Sequence, residues 1–208
     1  AFKNCGLINI VIPEGIERID NYAFSSCPYL KSVTISEGVK EIGWAAFEKA
    51  TLETVNIPSS VKRIETYAFN ECRELKNVTI LEGVNEIGYS AFAATALETV
   101  YIPSSVKSIE EYAFCECREL KDVTISEGVE HIGMLAFNNC QNIGDVQIPA
   151  SVKKIDAYAF NLCWYWNEGT IKFIRKTDFE YDNSMLWNDN RVSILIPIDL
   201  SLIHISEP

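Results

Sequence analysis

The chain has 208 residues, 48% hydrophobic and 23% charged, enough apolar material for a sizeable core and unlike a disordered or collagen-like chain. Its 29 acidic and 18 basic residues leave a formal charge of −11, which repels phosphate backbones and sets nucleic acid aside as a partner. No apolar run approaches the roughly 18 residues of a membrane helix, so no membrane insertion is expected, and Ala1–Cys5 does not read as a signal peptide.

Along the chain one element recurs. The dipeptide Ala-Phe ends at Phe2, Phe24, Phe47, Phe69, Phe92, Phe114, Phe137 and Phe160, in steps of 22 or 23 residues. Ile12, Ile35, Ile57, Ile80, Ile102, Ile125 and Ile148 keep the same step. Between the two markers each unit reads Leu-x-x-Val-x-Ile, a turn, then Val-x-x-Ile and Ala-Phe. The alternation around Val33 and Ile35 has the period of a half-buried strand, and Pro, Ser or Gly follow it as turn residues. A unit this short cannot close a core alone, so each must stack on its neighbours. Stacking would pair the strands in parallel at about 4.8 Å, giving a rod roughly 40 Å long.

A two-unit period overlies the first. Units with Glu-Gly after the strand carry Gly43, Gly88 or Gly133 after their second Ile, whereas units with Pro-Ser-Ser or Pro-Ala-Ser carry Glu65, Glu110 or Asp156. The residue after the strand's Leu alternates as Lys31, Glu53, Lys76, Glu98 and Lys121, which should set opposite charges side by side.

These residues carry a resemblance. Leu52–Cys72 and Leu97–Cys117 resemble the BspA-type leucine-rich repeat, and the likeness extends over residues 1–163. It implies a β-rich leucine-rich-repeat solenoid, a right-handed coil of about eight units of 22–23 residues with a parallel sheet on one face. It also implies an extracellular or cell-surface protein, since members include bacterial adhesins for host proteins such as fibronectin and fibrinogen. The motif holds no fixed ligand-binding residues to carry over.

Residues 164–199 depart from the pattern. Trp164, Tyr165, Trp166, Phe173, Phe179, Tyr181 and Trp187 crowd there, and a strand signature returns at Val192–Pro197. A degenerate, longer coil is expected, with an aromatic cap over the core end as the alternative. Residues 200–208 resemble a translated sequencing-library adapter, and the opening at Ala1-Phe2 falls inside a unit. The chain therefore reads as a metagenomic fragment of a longer gene product.

Little points to chemistry. Cys5, Cys27, Cys72, Cys117, Cys140 and Cys163 sit three residues after the repeat Phe, where Ala50 and Thr95 stand in the shorter units, so a small apolar filler is expected. Cys115 falls in another slot and is expected to be exposed; the lone Cys115-Glu116-Cys117 has no companion metal ligands. His131 occupies an expected solvated slot, and His204 lies in the adapter-like tail, so no Ser/His/Asp or Cys/His arrangement is foreseen. The chain is expected to be no enzyme and to bind neither metal nor cofactor. Tyr22, Tyr67, Tyr112 and Tyr158, with Trp44 and Tyr89 one residue earlier in their units, are expected to pack along the coil edge rather than stack sugars.

What remains is the outer face of the sheet. The residues flanking each strand Val point away from the core: Ser32 and Thr34, Thr54 and Asn56, Asn77 and Thr79 in the first half. Thr99 and Tyr101, Asp122 and Thr124, Asp145 and Gln147 follow in the second. Solenoids bind partners on such extended faces. The expected function is therefore a protein-binding or adhesion module whose partner is an extracellular-matrix or host surface protein; a spacer carrying another domain is the alternative.

Overall fold

Alternating residues fold as their pattern dictates: in the strand Ser32–Ile35, Val33 and Ile35 are buried while Ser32 and Thr34 are exposed. The computed structural model describes residues 2–163, 169–174, 180–181 and 192–195. Its long strands are β1 (Asn9–Ile12), β3 (Ser32–Ile35), β5 (Thr54–Ile57), β7 (Asn77–Ile80), β9 (Thr99–Ile102), β11 (Asp122–Ile125) and β13 (Val146–Ile148). Short strands follow each: β2 (Arg18–Ile19), β4 (Glu41–Ile42), β6 (Arg63–Ile64), β8 (Glu86–Ile87), β10 (Ser108–Ile109), β12 (His131–Ile132) and β14 (Lys154–Ile155). Beyond them lie β15 (Gly169–Phe173), β16 (Glu180–Tyr181) and β17 (Val192–Leu195).

All pairings are parallel and join equal repeat positions, such as Val55 with Val78 and Ile57 with Ile80. The first six long strands form one sheet in the order β1-β3-β5-β7-β9-β11, and β13-β15-β17 form a separate three-stranded sheet. The short strands build an eight-stranded sheet from β2 to β16. The expected solenoid is what the chain forms, and no helix occurs among the described residues.

The core is a stack of coils. From Phe2 to Phe160 successive rings lie nearly parallel, with centroids 5.1–5.5 Å apart. Phe47, Phe69, Phe92, Phe114, Phe137 and Phe160 are fully buried, each contributing up to about 3 kcal/mol. Two sharp turns bend the chain around every ring. Tyr67 (φ 59°) and Glu71 (φ 54°) flank Phe69, and Tyr112 (φ 58°) and Glu116 (φ 59°) flank Phe114. This left-handed conformation costs non-glycine residues about 1–2 kcal/mol. It is offset by ring burial and by inter-coil hydrogen bonds from Tyr67, Phe69 and Glu71 to Tyr89, Ala91 and Ala93 at 2.8–2.9 Å.

The two-unit period has a physical cause. Glu82 accepts the Ser104 and Ser105 N–H groups of the next coil at 3.1 and 3.0 Å, and Ser105 Oγ returns to Gly83 N and Val84 O. Glu37 and Glu127 do the same to Ser59-Ser60 and Ala150-Ser151. A Glu-Gly unit is thus stapled to the Pro-Ser-Ser or Pro-Ala-Ser unit that follows. Gly88 and Gly133 are needed because a Cβ there would come within 2.7 Å of the Ile64 carbonyl or the Glu111 amide. Of the expected charge alternation, the pairs Lys31–Glu53 (3.1 Å) and Lys121–Glu98 (3.5 Å) form.

Beyond Cys163, β15 pairs with β13 and β17 with β15. The strand expected at Val192–Pro197 forms over Val192–Leu195, whereas β15 at Gly169–Phe173 has no counterpart in the repeat pattern because it lacks the Leu and Ala-Phe frame. Residues 164–168, 175–179, 182–191 and 196–199, and the adapter-like stretch 200–208, lie outside the described residues.

Candidate interaction surface

Strand pleating puts all eleven sequence-predicted face residues in solvent: Thr34, Thr54, Asn56, Asn77, Thr79 and Thr99, then Tyr101, Asp122, Thr124, Asp145 and Gln147. Pairing aligns them in columns. Asn9, Ser32, Thr54, Asn77, Thr99 and Asp122 form one, with Ser32 Oγ bonded to Asn9 Oδ1 at 2.6 Å. Beside it Asn56 pairs with Thr79, and Tyr101 with Thr124. Gln147 belongs instead to the three-stranded sheet, and Asp145, just before its strand β13, accepts the Thr170 N–H at 2.9 Å. The surface is mostly hydroxyl and amide, with carboxylates toward its C-terminal end. Tyr101, 54% exposed, is its exposed aromatic ring, and Val11, 64% exposed and paired with Thr34, adds an apolar group at the β1 edge.

Three sequence readings need correction or extension. Cys115 is 9% exposed, not an exposed thiol: its slot also holds buried Ser25 and Ala93, and the tight turn around Phe114 tucks it beside Asn138. The ladder cysteines do more than fill space. Cys72, Cys117, Cys140 and Cys163 each donate Sγ–H to the repeat Phe carbonyl of the preceding coil at 2.9–3.2 Å. Burial pushes the Cys27 thiol up to about 11, with Cys5 adding to it, and holds Cys72, Cys117 and Cys140 well above the ordinary thiol value.

His131 is not a freely solvated side chain. Its side chain is 31% exposed, with Nε2 2.7 Å from Asp156 Oδ2 and Nδ1 3.3 Å from Ser108 Oγ. Ser108 and His131 share one slot of adjacent coils, and Asp156 stands two residues past that slot in the next, an offset the slot-by-slot comparison missed. The Ser108 hydroxyl donates to Glu110, and Lys154 pairs with Asp156 at 2.7 Å, so the line ends in structural carboxylates. It continues the ladder in which Arg18 and Arg63 both hold Glu41. The expected aromatic packing is realised: Tyr22–Trp44 and Tyr67–Tyr89 meet edge to face at 4.6 and 5.4 Å. Among the described residues no His/Cys/Asp/Glu group has the arrangement of a metal site.

The sequence model of the BspA-type leucine-rich repeat region matches residues 1–112 and 88–204, in six copies. The chain belongs to this BspA-type family. A leucine-rich repeat protein from Bacteroides ovatus shares its fold, with TM-score 0.50, 20% identity, and coverage of 94% of this chain and 58% of that one. A leucine-rich cell surface protein from Faecalibacterium prausnitzii gives 0.51, 24%, 94% and 61%, and the T. pallidum leucine-rich repeat protein 0.57, 24%, 80% and 72%. The chain thus spans about three fifths of the first two. No curated protein matches it.

Proposed function

We propose that this BspA-type array is a non-catalytic protein-binding module of a bacterial cell-surface protein, engaging an extracellular-matrix or host protein through its long-strand face. The observation that carries this reading is Tyr101, an exposed ring standing among aligned hydroxyl and amide side chains, the kind of anchor that dominates interfaces. The surface residues are Thr34, Thr54, Asn56, Asn77, Thr79 and Thr99 together with Tyr101, Asp122, Thr124, Asp145 and Gln147. Strands β15 and β17 continue the array beyond Cys163. The family's repeats are generally non-catalytic, and the F. prausnitzii neighbour's description as a cell surface protein supports the location. The stiff Phe stack supports the second reading, a spacer that projects another domain. Purified chain is tested for binding to a panel of matrix proteins. Saturable binding that is lost on Tyr101→Ala plus Gln147→Ala supports the module; no binding to any member favours the spacer.

A further inference from the structure

Among the coils with a neighbour on both sides, those of Phe47 and Phe92 are the short ones: Leu follows Phe by five positions (Phe47–Leu52, Phe92–Leu97), against six in Phe69–Leu75 and Phe114–Leu120. A shorter turn lies deeper and leaves a notch between its neighbours. In the Phe47 coil Glu48 and Lys49 fill that notch, with Lys49 Nζ 3.6 Å from Glu48 and 3.4 Å from Glu71. In the Phe92 coil the same slots hold Ala93 and Ala94. An open groove of about 460 Å³ results, floored by Ala94 and Ala96, and an adjoining hollow of about 310 Å³ reaches Ser90 and Tyr112.

Its walls come from one repeated tetrapeptide, Glu71–Glu74 on one side and Glu116–Glu119 on the other, two coil spacings or about 9.6 Å apart. Arg73 is steadied by Glu71 at 3.0 Å and Arg118 by Glu116 at 3.4 Å, and their side chains are 74% and 58% exposed. A guanidinium has five donors, so both keep N–H groups for a ligand, and two forks on facing walls can clamp one carboxylate. Glu116 and Glu119 in the same lining can accept from hydroxyls. The alanine floor offers apolar surface to the CH face of a ring.

One carboxylate, several hydroxyls and one apolar face describe a single class of ligand. We propose that the groove over the Phe92 coil binds a carboxylated sugar residue of a glycan, independently of the sheet face.

Saturation-transfer NMR on the full chain tests this with 3′-sialyllactose and glucuronic acid as probes, lactose as the neutral control, and an acetylated, amidated Gly-Glu-Gly peptide as the protein-type control. At least one acidic sugar should bind at least tenfold more tightly than lactose or the peptide. Arg73→Gln plus Arg118→Gln should weaken that binding at least tenfold. Ala94→Leu, which fills the groove without adding a charge, should abolish it with an unchanged melting temperature, because Leu162 (φ 57°) already occupies the equivalent slot and Ala94 has φ 55°. Tyr101→Ala should leave it intact, so this site and the sheet face fail or stand separately. Equal binding of lactose, tighter binding of the peptide, no binding of either acidic sugar, or binding retained in Ala94→Leu would overturn the proposal.

Discussion

Ser104 donates both its backbone N–H and its hydroxyl to the Glu82 carboxylate of the preceding coil, each at 3.1 Å. This one contact explains why Glu-Gly and Pro-Ser-Ser units alternate. The carboxylate satisfies the N–H groups of a turn that has no strand partner, and the second serine repays the glycine. Neighbouring units are therefore complementary rather than interchangeable.

The staple should be acid-sensitive. The Ser104 amide, then the Ser105 amide and the Ser104 hydroxyl, hold the Glu82 carboxyl below its ordinary value against an opposing effect of burial. A folded-state pKa below the unfolded one means that the stabilisation is complete above the unfolded value of about 4.3 and is lost as pH falls through the folded value. Thermal melts from about pH 7 to pH 3 should show a shallower acid loss for Glu82→Gln than for the parent chain, and a lower melting temperature at neutral pH. Identical profiles would remove the staple from the account.

Two glycines in one sequence slot should differ sharply. A Cβ on Gly83 would sit 2.0 Å from the Ser59 carbonyl oxygen, whereas one on Gly38 meets nothing within 4 Å. Both have positive φ, so Gly38→Ala should cost only the backbone term of about 1 kcal/mol. Gly83→Ala adds a backbone clash and should cost about 3 kcal/mol or more. Urea titration of the two variants measures the difference; equal costs would mean that the inter-coil contact yields easily.

The aromatic stack should be strongest in the middle. Phe92 is fully buried between two rings, whereas Phe2, at the first coil, is 54% exposed. Phe92→Ala should cost about 3–5 kcal/mol and Phe2→Ala less than about 2 kcal/mol. Because each coil is held chiefly by its neighbours, the first variant should also broaden the unfolding transition, which calorimetry would detect.

Thiol chemistry should follow burial. With the Cys72, Cys117 and Cys140 thiols raised by burial, little thiolate exists near about pH 8, and native alkylation should be slow at every cysteine except the half-buried Cys5. Denaturant should release all seven thiols. Cys72→Ala should cost about 1–2 kcal/mol, through lost packing and the lost donor to the Phe47 carbonyl. Several fast thiols in the native chain would contradict this picture.

The repeat step, the strand face and the Phe core were legible in the sequence for a simple reason. In a solenoid each contact joins equal positions of neighbouring coils, so a period in sequence is a period in space. The outward positions Thr34 and Tyr101 follow from strand alternation alone, and so does the burial of Val55 and Ile57. What only the tertiary structure decided depends on contacts between unequal slots, or on how deep a turn lies. His131 reaches Asp156 across an offset of two residues. Cys115 is buried because its small side chain lies against Asn138 of the next coil, although its slot elsewhere admits Glu48 and Asn70. The groove over Ala94 exists because a short turn carrying small side chains lies between two longer ones. Periodicity carries no record of such differences, since they arise from side-chain reach and turn depth rather than from the repeat.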